Sequence, residues 1–351
     1  MQRRKYRTQE PPFNVTLELT EGCNLRCSFC AVSGIQEKQG KGYRFMDKAV
    51  LTKVCEEVRD LGWNCRVGFA MRGEPTMHPD YVGMIAETHR LLPKAHITML
   101  TNAGGLLRRP GPAANVRALF DAGLAVLGLD NYDGVGLVPK VLEGVAGAVS
   151  HGRPNMEFLK TGQEYSIEDT KFTFYHYPSD RDGNPHMRRP RGTKTLVCIR
   201  DIAAQDAEKK IGNHGKLFNY AGVGAPKNDK MKGKKCHHPF RQIAIRCDGT
   251  VAICCNDWRG EYVCGDVTKQ SVAEIWQGPE FGAAREMLYH GKREMTPCKG
   301  CDHRSYRVGL LPDALGQKTV RRPDEQTARD IKRAIAKGPL NKPVLRPWEI
   351  K

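Results

Sequence analysis

Three cysteines lie within eight residues near the N-terminus, in the pattern Cys23-x3-Cys27-x2-Cys30. Thiolates are soft ligands that bind zinc or iron–sulfur clusters. A loop with three of them can hold three irons of a [4Fe–4S] cluster, which leaves the fourth iron open to a small molecule. A zinc knuckle is the alternative, although such sites normally use paired Cys-x2-Cys units and four protein ligands. We therefore expect Cys23, Cys27 and Cys30 to be metal ligands.

A second group of cysteines lies near the C-terminus. Its candidate ligands are Cys236, Cys254, Cys255, Cys298 and Cys301. Four of these thiolates would complete an iron–sulfur cluster or, alternatively, a structural zinc ribbon. Two adjacent cysteines rarely bind the same metal comfortably, so one of the pair is spare, and we favour Cys254 as the ligand. We expect one cluster here, because Cys247 and Cys264 do not extend the set with a recognisable spacing.

Polar residues follow three candidate strands upstream of this second group. They are Gly73-Glu74, Asn102 and Asp130. The carboxyl ends of parallel strands meet at one edge of a sheet, so we expect these residues to lie near the first three cysteines. A carboxylate can pair with an ammonium group, and amide or carboxylate side chains can bind hydroxyls. Each residue alone could instead be a helix cap or a turn former.

The elements that must position these residues alternate short apolar runs with amphipathic runs from residue 13 onward, which indicates β/α units around a parallel sheet. Candidate strands are Asn14–Thr20, Cys65–Ala70, His96–Thr101 and Ala125–Asp130, with weaker ones at Met156–Lys160 and Lys171–Tyr177. Candidate helices are Asp47–Leu61, Asp80–Leu92 and Ala113–Gly123. We predict an α/β fold, a partial (β/α)6 TIM-like barrel, followed by a small C-terminal cysteine-rich iron–sulfur domain.

The first cysteine motif, placed directly after the first strand, resembles the signature of the radical SAM superfamily. The sequence Arg72-Gly73-Glu74-Pro75 after the second strand looks like that family's Gly-Gly-Glu-Pro motif, although Arg72 replaces the first glycine. The resemblance implies that a [4Fe–4S] cluster binds S-adenosylmethionine (SAM) through its open iron and cleaves it to a 5′-deoxyadenosyl radical. It further implies that Gly73 and Glu74 hold the SAM ammonium, while Asn102 and Asp130 contact the ribose and the methionine carboxylate.

The C-terminal cysteines are similar to those of the SPASM domain, which binds one or two auxiliary [4Fe–4S] clusters. A reductase, or a flavodoxin or ferredoxin, is then the expected electron donor. We divide the chain into a basic N-terminal arm (1–12), a radical SAM partial barrel (13–180), a basic insertion or linker (181–235), a SPASM-like domain (236–303) and a basic tail (304–351).

The charge of the chain indicates an anionic partner. It has 56 Lys and Arg residues against 39 Asp and Glu residues, a net charge of +17 that is concentrated in the arm, the linker and the tail. Such basic segments often only form a solvent-exposed surface, but they can also bind a polyanionic macromolecule. We expect a nucleic-acid base as substrate, as in hypermodification of DNA. One alternative is a peptide substrate, although the residues before Phe13 leave no room for a winged peptide-binding domain. The other is that the protein is not an enzyme but a nucleic-acid-binding protein whose fold is stabilised by bound metal.

No apolar stretch of the sequence approaches the length of a membrane span, and the N-terminus lacks the apolar region of a signal peptide. We therefore expect a cytoplasmic protein without a membrane partner. In a reducing compartment, 13 cysteines are better explained as metal ligands and buried thiols than as disulfides.

Overall fold

A computed structural model describes residues 11–27, 30, 42–132, 136–152, 155–176, 193–201, 233–301 and 303. Its strands are β1 (Asn14–Leu17), β2 (Thr20–Glu21), β3 (Arg44–Phe45), β4 (Arg66–Phe69), β5 (His96–Thr101), β6 (Val126–Asn131), β7 (Glu164–Ile167), β8 (Thr170–His176), β9 (Thr195–Asp201), β10 (Gln242–Ile245), β11 (Thr250–Ala252) and β12 (Val263–Asp266). Its helices are α1 (Lys48–Asp60), α2 (Tyr81–Leu91), α3 (Pro112–Asp121), α4 (Leu137–Val149), α5 (Val272–Trp276) and α6 (Pro279–Tyr289).

Ten of the strands form one sheet in the order β12-β11-β10-β1-β4-β5-β6-β9-β8-β7. Strands β1, β4, β5, β6, β9 and β8 are parallel neighbours, as expected of a six-stranded partial barrel. Helices α1, α2 and α3 connect its first four strands. The α/β fold with a cysteine-rich C-terminal region is therefore confirmed.

The predicted helix starts are confirmed for α1 and α2. The Asp47 carboxylate accepts a hydrogen bond from the Ala49 backbone amide at 2.7 Å, and Asp80 does the same for Gly83 at 3.1 Å. Such caps satisfy amides that have no partner within the helix. The buried side of α1, which includes Val54 and Val58, packs into the core of the barrel.

The C-terminal domain continues the barrel sheet at its β1 edge. β10 pairs in parallel with β1, so that Val15 lies opposite Ile243. β10 and β11 then form an antiparallel hairpin, whose turn places Gly249 at a φ of +86°, a conformation that favours glycine. The ligands of the C-terminal domain are thereby attached to the same sheet that carries the first cysteine loop.

Two predictions about individual strands need revision. Met156–Lys160 was expected to be a strand, but residues Met156–Phe158 form a 3₁₀ turn, because the Asn155 side chain accepts from the Glu157 amide at 2.9 Å. Within the segment 181–235, interpreted as a basic insertion or linker in which the sequence indicates structure only at Thr195–Ala204, residues 195–201 form β9 and join the barrel sheet between β6 and β8. The buried side chains of Leu196 and Val197 suit that central position.

Basic runs at 188–191 and 321–322 lie outside the described residues, as does the run at 227–235 up to residue 232. The sequence also predicts a short helix over 325–337, which lies outside the described residues as well. Across the part of the chain that the structure describes, every helix is too short or too polar to traverse a lipid bilayer.

Candidate active site

The first cysteine loop follows β2, which pairs with β3 across the end of the barrel. Cys23, Cys27 and Cys30 are half-buried, and the Cys30 amide donates to the Cys27 carbonyl at 3.0 Å, which tightens the loop. Burial, and to a smaller extent the charges of Glu74, Cys30 and Cys27, raise the pKa of Cys23 to about 12. The three thiols thus share one loop and influence one another, and they would release their protons when a metal binds. This donor set fits a cluster with three protein ligands.

The segment after β4 docks on the cysteine loop through its backbone. The Glu74 amide donates to the Gly22 carbonyl at 2.9 Å. A Cβ atom added to Gly73 would lie 1.7 Å from the Thr20 carbonyl oxygen, so no other residue fits there without movement of the backbone. Glycine is required at this position because two backbone segments approach each other closely.

The carboxylate of Glu74 is 3% exposed and ties two strand ends together. Its Oε1 accepts from the Thr76 amide at 2.9 Å and from the Thr101 hydroxyl at 2.5 Å, and its Oε2 accepts from the Asn102 amide at 2.7 Å. Burial raises the pKa of Glu74, and these hydrogen bonds oppose the rise. Glu74 is therefore held in one position before any ligand arrives.

Asn102 also reaches the cysteine loop. The Asn102 amide nitrogen Nδ2 donates to the Cys23 sulfur at 3.3 Å. Asp130 accepts from the Tyr132 hydroxyl at 2.5 Å, and Tyr132 belongs to the same partly buried apolar group as Cys27 and Cys30. The structure thus places Gly73, Glu74 and Asn102 at the cysteine loop and Asp130 beside Tyr132. Their individual contacts to SAM remain predictions.

A buried ion network, which the sequence did not predict, joins this site to the C-terminal domain. Arg72 binds Glu18 with two nitrogens, Nε at 2.6 Å and Nη2 at 3.1 Å, and its Nη2 lies 3.2 Å from Glu21. The Arg72 Nη1 donates to the Trp258 carbonyl at 2.9 Å, and the Cys247 amide donates to Glu18 at 3.2 Å. The residue that replaces the motif's first glycine therefore links the two domains. The replacement of the motif's first glycine by Arg72 was the feature of the sequence that could have pointed to this link.

In the second cysteine group, Cys236, Cys254 and Cys298 are buried, and Cys255 and Cys301 are half-buried. Burial raises the pKa of Cys254 well above its usual value, and the charges of Cys255, Cys301, Cys236 and Cys298 raise it further. Cys254 therefore lies among all the other candidate ligands, which supports its choice as the fourth ligand.

Cys255 has a different environment from Cys254. Burial raises its pKa to about 11, while a hydrogen bond from Gln242 and the charge of Arg66 oppose the rise. Cys247 lies beside Glu21, and Cys264 lies near Arg285 as well as Cys298. A single auxiliary cluster remains our expectation.

The close packing of Gly73 leads to a testable prediction. Gly73→Ala must displace the cysteine loop or the loop after β4, and a displacement of ~1 Å can reduce catalysis about 100-fold. We expect weaker SAM binding, measured by equilibrium dialysis, and a similar loss of 5′-deoxyadenosine formation. Gly282→Ala in α6 is the matched control, because an added Cβ there meets nothing within 4 Å. SAM affinity in Gly73→Ala equal to that of the wild type would argue against this packing.

Comparison with known proteins agrees with this geometry. The radical SAM superfamily model matches residues 17–131, and the SPASM iron–sulfur cluster-binding domain matches residues 236–302. The GTP 3′,8-cyclase of Paenarthrobacter nicotinovorans is 33% identical over 104 residues, which cover 28% of this chain and 27% of the cyclase.

Two similarities extend over most of the chain. The S-adenosyl-L-methionine-dependent 2-deoxy-scyllo-inosamine dehydrogenase of Niallia circulans is 21% identical over 84% of this chain and 94% of its own length. The crystal structure of BtrN in complex with AdoMet and 2-DOIA is 18% identical, with a TM-score of 0.59 over 87% of this chain and 99% of BtrN, and it shows a shared fold. The cofactors of such a chain are SAM, a SAM-binding [4Fe–4S] cluster and auxiliary iron–sulfur clusters. The chain is therefore a radical SAM enzyme with a C-terminal SPASM domain.

Proposed function

We propose that this enzyme abstracts a hydrogen atom from a nucleobase-bearing, anionic substrate, with a base of a nucleic acid as the best candidate. When bound and reduced, the cluster supplies the electron that cleaves SAM to methionine and the 5′-deoxyadenosyl radical that attacks the substrate. A reductase, flavodoxin or ferredoxin would deliver that electron. Cys23, Cys27 and Cys30 would hold the cluster.

Residues at the strand ends would hold SAM. Gly73 keeps the backbone close to the cysteine loop, so that neighbouring carbonyls and the Glu74 carboxylate can face the SAM ammonium. Asn102 and Asp130 lie on the two following strand ends, and Asn102 donates to Cys23 on the same loop. Because Glu74 is already fixed by its hydrogen bonds, little ordering is needed when SAM binds.

The observation that carries the substrate class is a pair of exposed aromatic rings beside the cysteine loop. Tyr43 and Phe45 are 42% and 40% exposed, and their rings lie 6.0 Å apart with planes inclined by 17°. Partial burial raises the pKa of Tyr43, the charges of Cys23 and Glu74 raise it further, and Arg108 opposes them. The Tyr43 ring therefore lies next to the thiols and next to an exposed arginine.

This combination suits a nucleotide. Exposed aromatic rings provide stacking surfaces for bases, and arginines pair with phosphates. A base inside a duplex would have to be flipped out to reach the site. The net charge of +17 agrees with a polyanion. A small polar molecule, as in the name of the Niallia circulans relative, and a peptide are the alternatives that the experiment must distinguish.

The proposal predicts that Tyr43→Ala and Phe45→Ala weaken substrate binding. Each lost stack should reduce the binding free energy for single-stranded DNA by about 1–3 kcal/mol, measured by fluorescence anisotropy at low salt. Phe158→Ala is the matched control, because this ring is equally exposed but lies at the β7 edge of the sheet. Equal affinities in all three variants, or binding independent of salt, would overturn a nucleic-acid substrate.

The reaction itself is tested by isotope transfer. The reconstituted, reduced enzyme is incubated with SAM and with uniformly deuterated DNA, RNA, nucleotides, peptides or 2-deoxy-scyllo-inosamine. Deuterium in 5′-deoxyadenosine, detected by mass spectrometry, identifies the substrate class whose C–H bond is broken. We expect transfer from the nucleobase-bearing substrates. Transfer from a peptide or from the aminocyclitol alone would assign the alternative class instead.

A further inference from the structure

Arg293 lies between the two segments that carry the proposed ligands of the auxiliary cluster. Its Nε donates to the Lys234 carbonyl at 2.7 Å, and its Nη2 donates to the His303 carbonyl at 2.9 Å. Longer contacts of 3.4 Å reach the carbonyls of Lys235 and Cys301. One guanidinium thus binds the residues directly before Cys236 and those around Cys301. Arginine suits this position because its rigid fork of donors can bridge two backbone segments.

Arg293 is a buried cation. The residue is only 6% exposed, and within the described ranges no carboxylate forms an ion pair with it. Burial of an uncompensated charge costs several kcal/mol, which carbonyl dipoles offset only in part. Burial raises the pKa of Cys236 to about 11, and the charge of Arg293 opposes that rise. Arg293 acts in the same direction on Cys298. Through its hydrogen bonds to the Cys301 carbonyl and to the carbonyls of the two residues before Cys236, the Arg293 guanidinium is held beside two proposed cluster ligands.

A [4Fe–4S] cluster with four thiolate ligands is an anion, and reduction makes it more negative. Net charge and burial are among the factors that set the potential of such a cluster. We propose that Arg293 is the internal counter-ion of the auxiliary cluster, clamping its two ligand segments and favouring its reduced state. The inference rests on the SPASM domain and is independent of the substrate class.

The experiment is a redox titration of the reconstituted holoenzyme, in which electron paramagnetic resonance follows the auxiliary cluster. Arg293→Gln removes the positive charge but keeps a hydrogen-bond donor. Arg293→Lys keeps the charge but loses the planar guanidinium that bridges the two segments. Lys235→Gln is the matched control, because it removes an equal charge next to Cys236 from an exposed position. Iron and sulfide analysis measures the loading of each variant.

We expect Arg293→Gln to disfavour reduction of the auxiliary cluster at least tenfold, a fall of about 59 mV for a one-electron couple. Arg293→Lys should lower the loading but keep the potential, and Lys235→Gln should leave both unchanged because solvent screens its charge. Loss of the cluster in Arg293→Gln but not in Arg293→Lys also supports a role of the charge. An unchanged potential in a loaded Arg293→Gln variant, an equal shift in Lys235→Gln, or complete loss of the cluster in both Arg293 variants would overturn the counter-ion role.

Discussion

Alanine substitution of Cys23, Cys27 or Cys30 will lower 5′-deoxyadenosine formation by at least about 1,000-fold, because the uncatalysed cleavage is negligible on the scale of enzymatic rate enhancements. Each variant should also lose about four iron atoms, the content of one [4Fe–4S] cluster. The three thiols lie on a single loop, which a hydrogen bond from the Cys30 amide to the Cys27 carbonyl tightens. The measurements are iron analysis and liquid chromatography with mass spectrometry.

Cys55→Ala provides the control for these variants. Its thiol is buried in α1 and contacts Thr88, so the substitution removes a sulfur atom without touching either ligand group. This variant should keep the iron content and the product yield of the wild type. If a Cys23, Cys27 or Cys30 variant retained both, the assignment of that ligand would be wrong.

The second large effect concerns Arg72. Arg72→Met leaves Glu18 without its buried counter-charge, whereas Glu21 keeps its ion pair with Arg44, and loss of one partner of a buried pair typically costs about 3–5 kcal/mol. The side chains of Arg72 and Glu18 are 3% and 1% exposed, so water cannot replace the lost partner. We expect this decrease in the free energy of unfolding, measured with urea under reducing conditions. Arg72→Lys should recover only part of it, because lysine cannot form the two-nitrogen contact.

The same substitution should weaken the connection between the domains. Arg72 donates to the Trp258 carbonyl, so we expect faster proteolysis at the C-terminal domain in Arg72→Met than in the wild type. Arg59→Met is the control, since the Arg59–Asp60 pair is exposed and such pairs contribute little. Equal unfolding curves for Arg72→Met and Arg59→Met would contradict a structural role of the buried network.

Local chemistry explains why much of the site was predictable from the sequence. A cluster requires its cysteine ligands at a fixed spacing, and a close backbone contact requires glycine at position 73. Each requirement therefore leaves a short pattern in the sequence. Asp47 and Asp80 mark helix starts for the same reason, since a cap acts within three residues. The strand ends that carry Glu74, Asn102 and Asp130 converge because parallel strands share one edge.

Features that depend on distant pairing were not predictable. Arg72 and Glu18 are 54 residues apart, and nothing near either residue indicates the other. β9 inserts between β6 and β8 because of pairing across the sheet, although its surrounding sequence is polar and basic. The parallel contact of β10 with β1 likewise joins residues more than 220 positions apart, Val15 and Ile243 among them. Met156–Phe158 was mispredicted because a side-chain contact competed with strand formation.

The most direct test of the account is SAM cleavage by the wild-type protein. The chain is reconstituted anaerobically with iron and sulfide, reduced with dithionite and incubated with SAM, and 5′-deoxyadenosine is quantified by mass spectrometry. We predict an iron–sulfur-containing protein that forms 5′-deoxyadenosine only when it is reduced and only when Cys23, Cys27 and Cys30 are intact. A protein that binds stoichiometric zinc instead, and forms no 5′-deoxyadenosine under these conditions, would contradict the assignment of this site.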